Sequence, residues 1–274
     1  MLDRGFLPNV GVYVYGAAAA AAGSINLLWG DFATGWQPIQ AFGDHVPGRE
    51  LYAYITAVWL IAGGAAILWR RTARAGAVAL SIVYFIFGVF WMPRFYWVIT
   101  ILGFRIPSLI GVVGGLAQQL MLVAAAAIVY ASLAGLDSAR LRRIGLVARW
   151  TFGLCAISFG LNHLTSVGPV AVLVPKWMPL GGNFWAVLTG IAFALAGIAI
   201  VSEIQDVLAA RLLALMLLVF SALVLAPQIF ASPHDHEAWG GNAYNLAAVA
   251  ATWVVADSLA GRRRQAQNQK NEVP

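Results

Sequence analysis

Eight apolar runs divide this chain, at about 9–29, 51–69, 75–92, 110–134, 146–166, 183–202, 208–230 and 241–260. Each is roughly as long as the ~20-residue helix needed to cross a hydrocarbon core about 30 Å thick. Backbone groups in lipid must pair internally, which leaves helices and closed barrels. The runs show no strict alternation of apolar and polar residues, so helices are expected. Charged residues make up only 10% of the 274 residues and apolar ones 61%. A soluble domain carries about a quarter charged residues, so water is not the solvent of most of this surface.

The basic residues lie between the runs. One set of loops holds Arg4, Arg70, Arg71, Arg74, Arg140, Arg142, Arg143, Arg149, Arg211, Arg262, Arg263, Arg264 and Lys270. The other holds Arg49, Arg94, Arg105 and Lys176. The positive-inside rule then places both termini in the cytoplasm, as an even number of spans requires. A bacterial-type cytoplasmic (inner) membrane is the expected location. The net charge of +6 is distributed as a topology signal, and no nucleic-acid partner is expected. No cleavage site follows the first run, so an uncleaved first helix is expected. The segment from Phe95 to Pro107 reads as interfacial. A single cysteine, Cys155, excludes an internal disulfide and an all-Cys metal site.

The chain also repeats itself. Gly114-Gly115-Leu116-Ala117-Gln118-Gln119-Leu120 recurs as Gly240-Gly241-Asn242-Ala243-Tyr244-Asn245-Leu246, and Ser132-Leu133-Ala134-Gly135 as Ser258-Leu259-Ala260-Gly261, both offset by 126 residues. Thr56 with Gly64-Ala65-Ala66-Ile67 matches Thr189 with Gly197-Ile198-Ala199-Ile200 at an offset of 133. Four spans per half means that both halves insert the same way, as parallel repeats. The fold class expected is all-α integral membrane, with eight transmembrane helices as two parallel four-helix repeats. Residues 1–135 would form the first repeat, 136–149 a cytoplasmic linker, 150–261 the second repeat and 262–274 a disordered cytoplasmic tail. Two bundles side by side is the expected architecture.

The second half carries a distinctive stretch: Gly160-Leu161-Asn162-His163-Leu164, then Val174-Pro175-Lys176-Trp177-Met178-Pro179, then Phe184-Trp185 and Thr189-Gly190. It resembles the DoxX-like family of small four-helix membrane proteins, whose pattern runs Gly-x-x-His-(Phe/Leu), Val-Pro-x-Trp-(Leu/Met)-Pro, Phe-Trp and Thr-Gly. The resemblance covers residues 148–260 directly and 10–135 through the repeat. A relative of that family, the DoxD-type subunit, belongs to thiosulfate:quinone oxidoreductase, so the resemblance implies a membrane subunit of a redox system. In the first half Asn26 aligns with Asn162, and Leu27 stands where His163 would be.

The four histidines, His45, His163, His234 and His236, all map to the side away from the termini. Asn162 and His163 are the candidate catalytic pair, because a polar or ionisable group at membrane depth usually faces a bundle interior or cavity, and a histidine can exchange a proton with a quinol near neutral pH. Trp177, Trp185, Thr189, Tyr244 and Asn245 are candidates for contact with a quinone. Nitrogen and carboxylate ligands suit Zn(II) or Cu(II), so His234, His236 and Glu237, joined by His163, are candidate metal ligands. Each has a plainer reading: capping for the loop residues, an aromatic belt for the tryptophans, and interhelical hydrogen bonding for the amides, Gln118 and Gln119 included. No dinucleotide fingerprint, phosphate loop or bis-haem histidine spacing is present. The function expected is a quinone- or metal-binding membrane subunit acting with another membrane or periplasmic subunit; the alternative is a non-catalytic carrier or scaffold.

Overall fold

The structure, a computed structural model, describes residues 10–37 and 47–271. His45 lies outside the described residues. All regular structure among them is helical, and eight helices are long and apolar enough to cross a membrane. The chain is that of a multi-pass membrane protein.

The spans are α1 (Val10–Trp29), α2 (Arg49–Leu68), α3 (Ala73–Trp91) continued by α4 (Pro93–Leu102), and α5 (Ile106–Leu133). Then come α6 (Ser138–Thr165), α8 (Gly181–Ser202), α9 (Asp206–Phe220) continued by α10 (Ala226–Ala231), and α11 (His236–Asn271). A short helix, α7 (Val167–Leu173), lies between α6 and α8. Pro93 sits in the first turn of α4, where a missing N–H costs nothing. The third span therefore runs on through the residues expected to lie at the interface.

Two other segments differ from the reading of the sequence. The linker is largely helical, because the Asp137 carboxylate caps α6 by accepting from the N–H groups of Ala139 (3.0 Å) and Arg140 (2.9 Å). The tail is helical as far as Asn271. One of its basic residues is tied down: Arg263 meets Asp206 at 2.6 Å and donates to the Glu203 carbonyl at 2.8 Å. Arg149, itself buried, pairs with Glu203 at the same turn.

The helices close into two five-membered rings that share α5 and α11. One ring runs α1, α2, α3, α5, α11; the other runs α5, α6, α8, α9, α11. Two self-contained bundles are therefore not formed: each ring takes its fifth helix from the other half of the chain. In lipid, helices gain nothing from hydrophobic exclusion, so they join where small residues allow close packing. A Cβ on Gly16 of α1 would lie 2.7 Å from the Gly64 carbonyl of α2, and one on Gly160 of α6 would lie 2.7 Å from the Gly190 carbonyl of α8.

The two rings are filled differently. Tyr15, Tyr84 and Tyr244, all at most 1% exposed, meet in the middle of the first ring with centroid separations of 6.4 Å. Tyr15 donates to the Leu122 carbonyl at 2.8 Å, and Phe32 and Phe87 complete the packing. The second ring encloses a cavity of about 660 Å³.

Candidate functional site

The cavity is walled mainly by apolar and aromatic side chains, among them Phe152, Phe159, Phe193, Met216 and Phe220, and roofed by Pro175 and Met178. Its volume lies within the range of about 300–1,000 Å³ usual for small-molecule sites, and such sites place few polar groups in an apolar shell. Here those groups come from α5, α6, α8 and α11.

His163 reaches the cavity because α6 runs against α8 at Gly190, where a Cβ would sit 3.0 Å from that of His163. Its Nδ1 lies 3.0 Å from Thr189 Oγ1. The single hydroxyl proton of Thr189 is already donated to the Trp185 carbonyl at 2.8 Å, so the threonine oxygen accepts from the imidazole. We assign the proton to Nδ1 on that ground, which leaves Nε2 with its lone pair. The ring is held edge-on to Phe193 (centroids 5.2 Å, 64°) and parallel to Phe220 (6.3 Å, 9°). The result is a fixed hydrogen-bond acceptor in an apolar chamber.

Asn162 and Gln118 also line the cavity, and among the described residues no hydrogen bond engages either side-chain amide. The Asn162 carboxamide faces α5, where Gly111 and Gly114 leave room for it: a Cβ on Gly111 would lie 3.7 Å from Asn162 Oδ1. Asn245 has structural work. It donates to the Leu217 carbonyl and to Ser221 Oγ, both at 2.8 Å. Those partners border a five-residue π turn, Ser221–Leu225, of the kind that interrupts helices at functional sites.

Two tryptophans from the first half form one wall. Trp91 overlies Gly115, where any side chain would clash with its indole, and donates to the Val112 carbonyl at 2.9 Å. Trp36 packs against Gly241, and Gln119 donates to its carbonyl at 2.9 Å. The Arg94 guanidinium lies 3.8 Å from the Trp91 ring centroid and donates to the Thr34 and Gln37 carbonyls on either side of Trp36, at 2.9 Å each. Glu237 holds the same loop from the other side, accepting from the Thr34 hydroxyl at 2.8 Å and the Gly35 N–H at 3.1 Å.

The residues singled out in the sequence are thus divided. Asn162, His163, Trp185, Thr189 and Asn245 line one cavity. Trp185 is anchored by donating to the Pro179 carbonyl at 2.8 Å. Trp177 is 69% exposed, outside the cavity wall. Tyr244 belongs to the packing of the first ring. The expected metal ligands do not converge: among the described residues no group of three or more His, Cys, Asp and Glu could hold a metal ion. His234 is exposed. His236 stacks on Trp29 (5.1 Å, 9°) with Nε2 at 3.3 Å from Asn26 Oδ1, while His163 points into the second ring. A pocket spanned by the three imidazoles does not form.

Phe193, Phe220, Trp36 and Trp91 were not legible as site residues. Aromatics in apolar runs look like core or belt, and only the ring closure turns these four inward. Gln118, read as an interhelical hydrogen-bonding group, has its amide unengaged. Comparison with known proteins adds no relative: no family model, no curated protein and no solved structure matches the chain.

Proposed function

We propose that this chain is a quinone-binding membrane subunit of a redox system, with the quinone ring held in the cavity of the second ring. The observation that carries the reading is the imidazole of His163, locked by Thr189 so that Nε2 presents a lone pair to a large aromatic chamber. A quinol is flat, apolar and edged by hydroxyls. Aromatic walls suit its faces, Nε2 accepts from a hydroxyl, and the Asn162 and Gln118 amides donate to a carbonyl. When two electrons leave for an acceptor in a partner subunit, the same nitrogen can take one of the two quinol protons, and the other passes from the second hydroxyl to water. The DoxX-like motif of the second half, centred on His163, agrees with this role.

The parallel-repeat reading belongs to the same proposal, and its support is the register of burial. Ala73, Ala77, Leu80, Tyr84 and Gly88 of α3 correspond at an offset of 133 to Asp206, Ala210, Leu213, Leu217 and Ser221, all buried. Gly16 and Gly23 correspond at 137 to Gly153 and Gly160, again at close helix contacts. That register sets Asn26 opposite His163, one residue on from Asn162, with which the sequence pattern alone aligns it. The offset of 133 sets Tyr84 opposite Leu217, and the offset of 126 in the sequence repeat sets Tyr244 opposite Gln118, which accounts for one filled ring and one open. We take the arginine-rich end with both termini as cytoplasmic, by the positive-inside rule.

The test is titration of the purified protein, in nanodiscs, with ubiquinone and menaquinone analogues, followed by quenching of tryptophan fluorescence. Saturable binding that weakens at least tenfold in His163→Ala, with an unchanged melting temperature, supports the reading. A wild-type protein that binds neither quinone ends it. Loss of the His163→Ala protein from the membrane would make that residue structural.

A further inference from the structure

The geometry points to a lateral portal along α9, through which the cavity exchanges its ligand with the hydrocarbon core of the bilayer. The ligand is therefore a membrane-dissolved molecule whose chain remains between α8 and α9. This rests on the cavity proposed above as a ligand site, but not on the ligand being a quinone.

Leu208, Leu212, Leu215 and Val219 form one stripe of α9, spaced three or four residues apart, and their exposures are 54%, 55%, 54% and 41%. On a span of this composition that stripe faces lipid. Leu212, Leu215 and Val219 also line the cavity. A side chain can do both only at a mouth. On its other side α9 packs against α11, with Asn245 bonded across to Leu217 and Ser221, so the mouth faces α8. The cavity-lining residues of α8 are Trp185, Thr189 and Phe193, the last just past its midpoint. None comes from the stretch of α8 after Phe193 that leads to the Glu203–Gln205 turn joining α8 to α9. The opening thus lies at membrane depth, flanked by leucines.

The polar groups of the chamber fit the inner end of such a path. His163, Asn162 and Gln118 are on α6 and α5, across the ring from α9. A ligand entering head first would bring its polar end to them and leave its chain between the leucines. Water-soluble ligands have no use for a leucine-lined entrance, whereas isoprenoid and alkyl chains do.

The experiment places the full-length protein in nanodiscs containing a phosphatidylcholine with a diazirine at the end of one acyl chain. After photolysis, adducts are mapped by mass spectrometry. Phe193 is only 4% exposed, so an adduct there requires a chain inside the cavity. Expected are adducts on Phe193 and Met216 in the wild type, reduced at least fivefold in Leu215→Trp, with adducts on the lipid-facing Leu195 and Leu208 unchanged. Val219→Trp should act in the same way and guards against a misfolded first variant. Absence of Phe193 adducts in the wild type, or adducts indifferent to both tryptophans, overturns the portal. A protein that takes up the acyl chain but no quinone keeps the portal and sinks only the quinone reading.

Discussion

Arg94 and Trp91 are stacked, with the guanidinium carbon 3.8 Å from the ring centroid, and the same guanidinium bonds the two carbonyls that flank Trp36. One cation therefore braces both tryptophans of the cavity wall. It is itself balanced by Glu237, which grips the same loop. A half-desolvated cation–π contact contributes about 1–2 kcal/mol, and hydrogen bonds from a charged donor about 1.5–3 kcal/mol each. Arg94→Gln should lower stability by roughly 2–4 kcal/mol and loosen the wall. Arg94→Lys should recover only part of this, because an ammonium lacks the planar face that the guanidinium lays on Trp91. Thermal unfolding in detergent, with tryptophan emission as a second signal, measures both.

Thr189 sets the tautomer of His163. Valine in its place keeps the shape but offers no acceptor to Nδ1. Thr189→Val should therefore cost ligand binding about tenfold, the value of one neutral hydrogen bond of roughly 1 kcal/mol plus the lost orientation. Thr189→Ser should bind like the wild type. ¹⁵N chemical shifts of the imidazole should report Nδ1–H in the wild type and a tautomer mixture in the valine variant. A wild-type ring protonated on Nε2 would contradict the assignment.

His236 is predicted to act through packing. It closes the C-terminal end of α1 by stacking on Trp29 and meeting Asn26, whose amide also donates to Gln37 Oε1 at 3.0 Å. His236→Ala should destabilise the protein by about 1–2 kcal/mol, equally with and without a chelator. His234→Ala should change nothing measurable, since His234 is exposed and in no such contact. A chelator-dependent melting temperature lost in both variants would instead restore a metal site.

Much of this architecture is written in composition. The eight spans are legible because each must carry about 20 apolar residues to cross lipid, and the pairing of His163 with Thr189 falls within a motif visible in the chain. The ring closure is not legible, because two four-helix bundles and two interlocked rings place the same small residues on helix faces. His163 and His236 share an end of the molecule, which the loop charges disclose. They do not share a pocket, because Asn26 and Trp29 draw His236 to α1 while Gly190 draws His163 to α8. Trp36 enters the cavity from a loop whose register no periodicity predicts.

The contrast between the rings yields the last prediction. If Tyr84 and Tyr244 fill the space that Leu217 and Gln118 leave open, replacing them with those residues should hollow the first ring. Tyr84→Leu combined with Tyr244→Gln removes two rings from a core position, and large-to-small changes of this kind cost about 2–5 kcal/mol. The double variant should fold with a lower melting temperature and take up a second xenon atom or a second apolar ligand, read as a stoichiometry of two per chain against one in the wild type. The first site would lack an imidazole, with Asn26 in the place of His163, and should bind apolar gas but not a quinol. A stoichiometry that stays at one in a folded double variant would mean that the rings are not equivalent in packing, and the register drawn between α3 and α9 would fall with it.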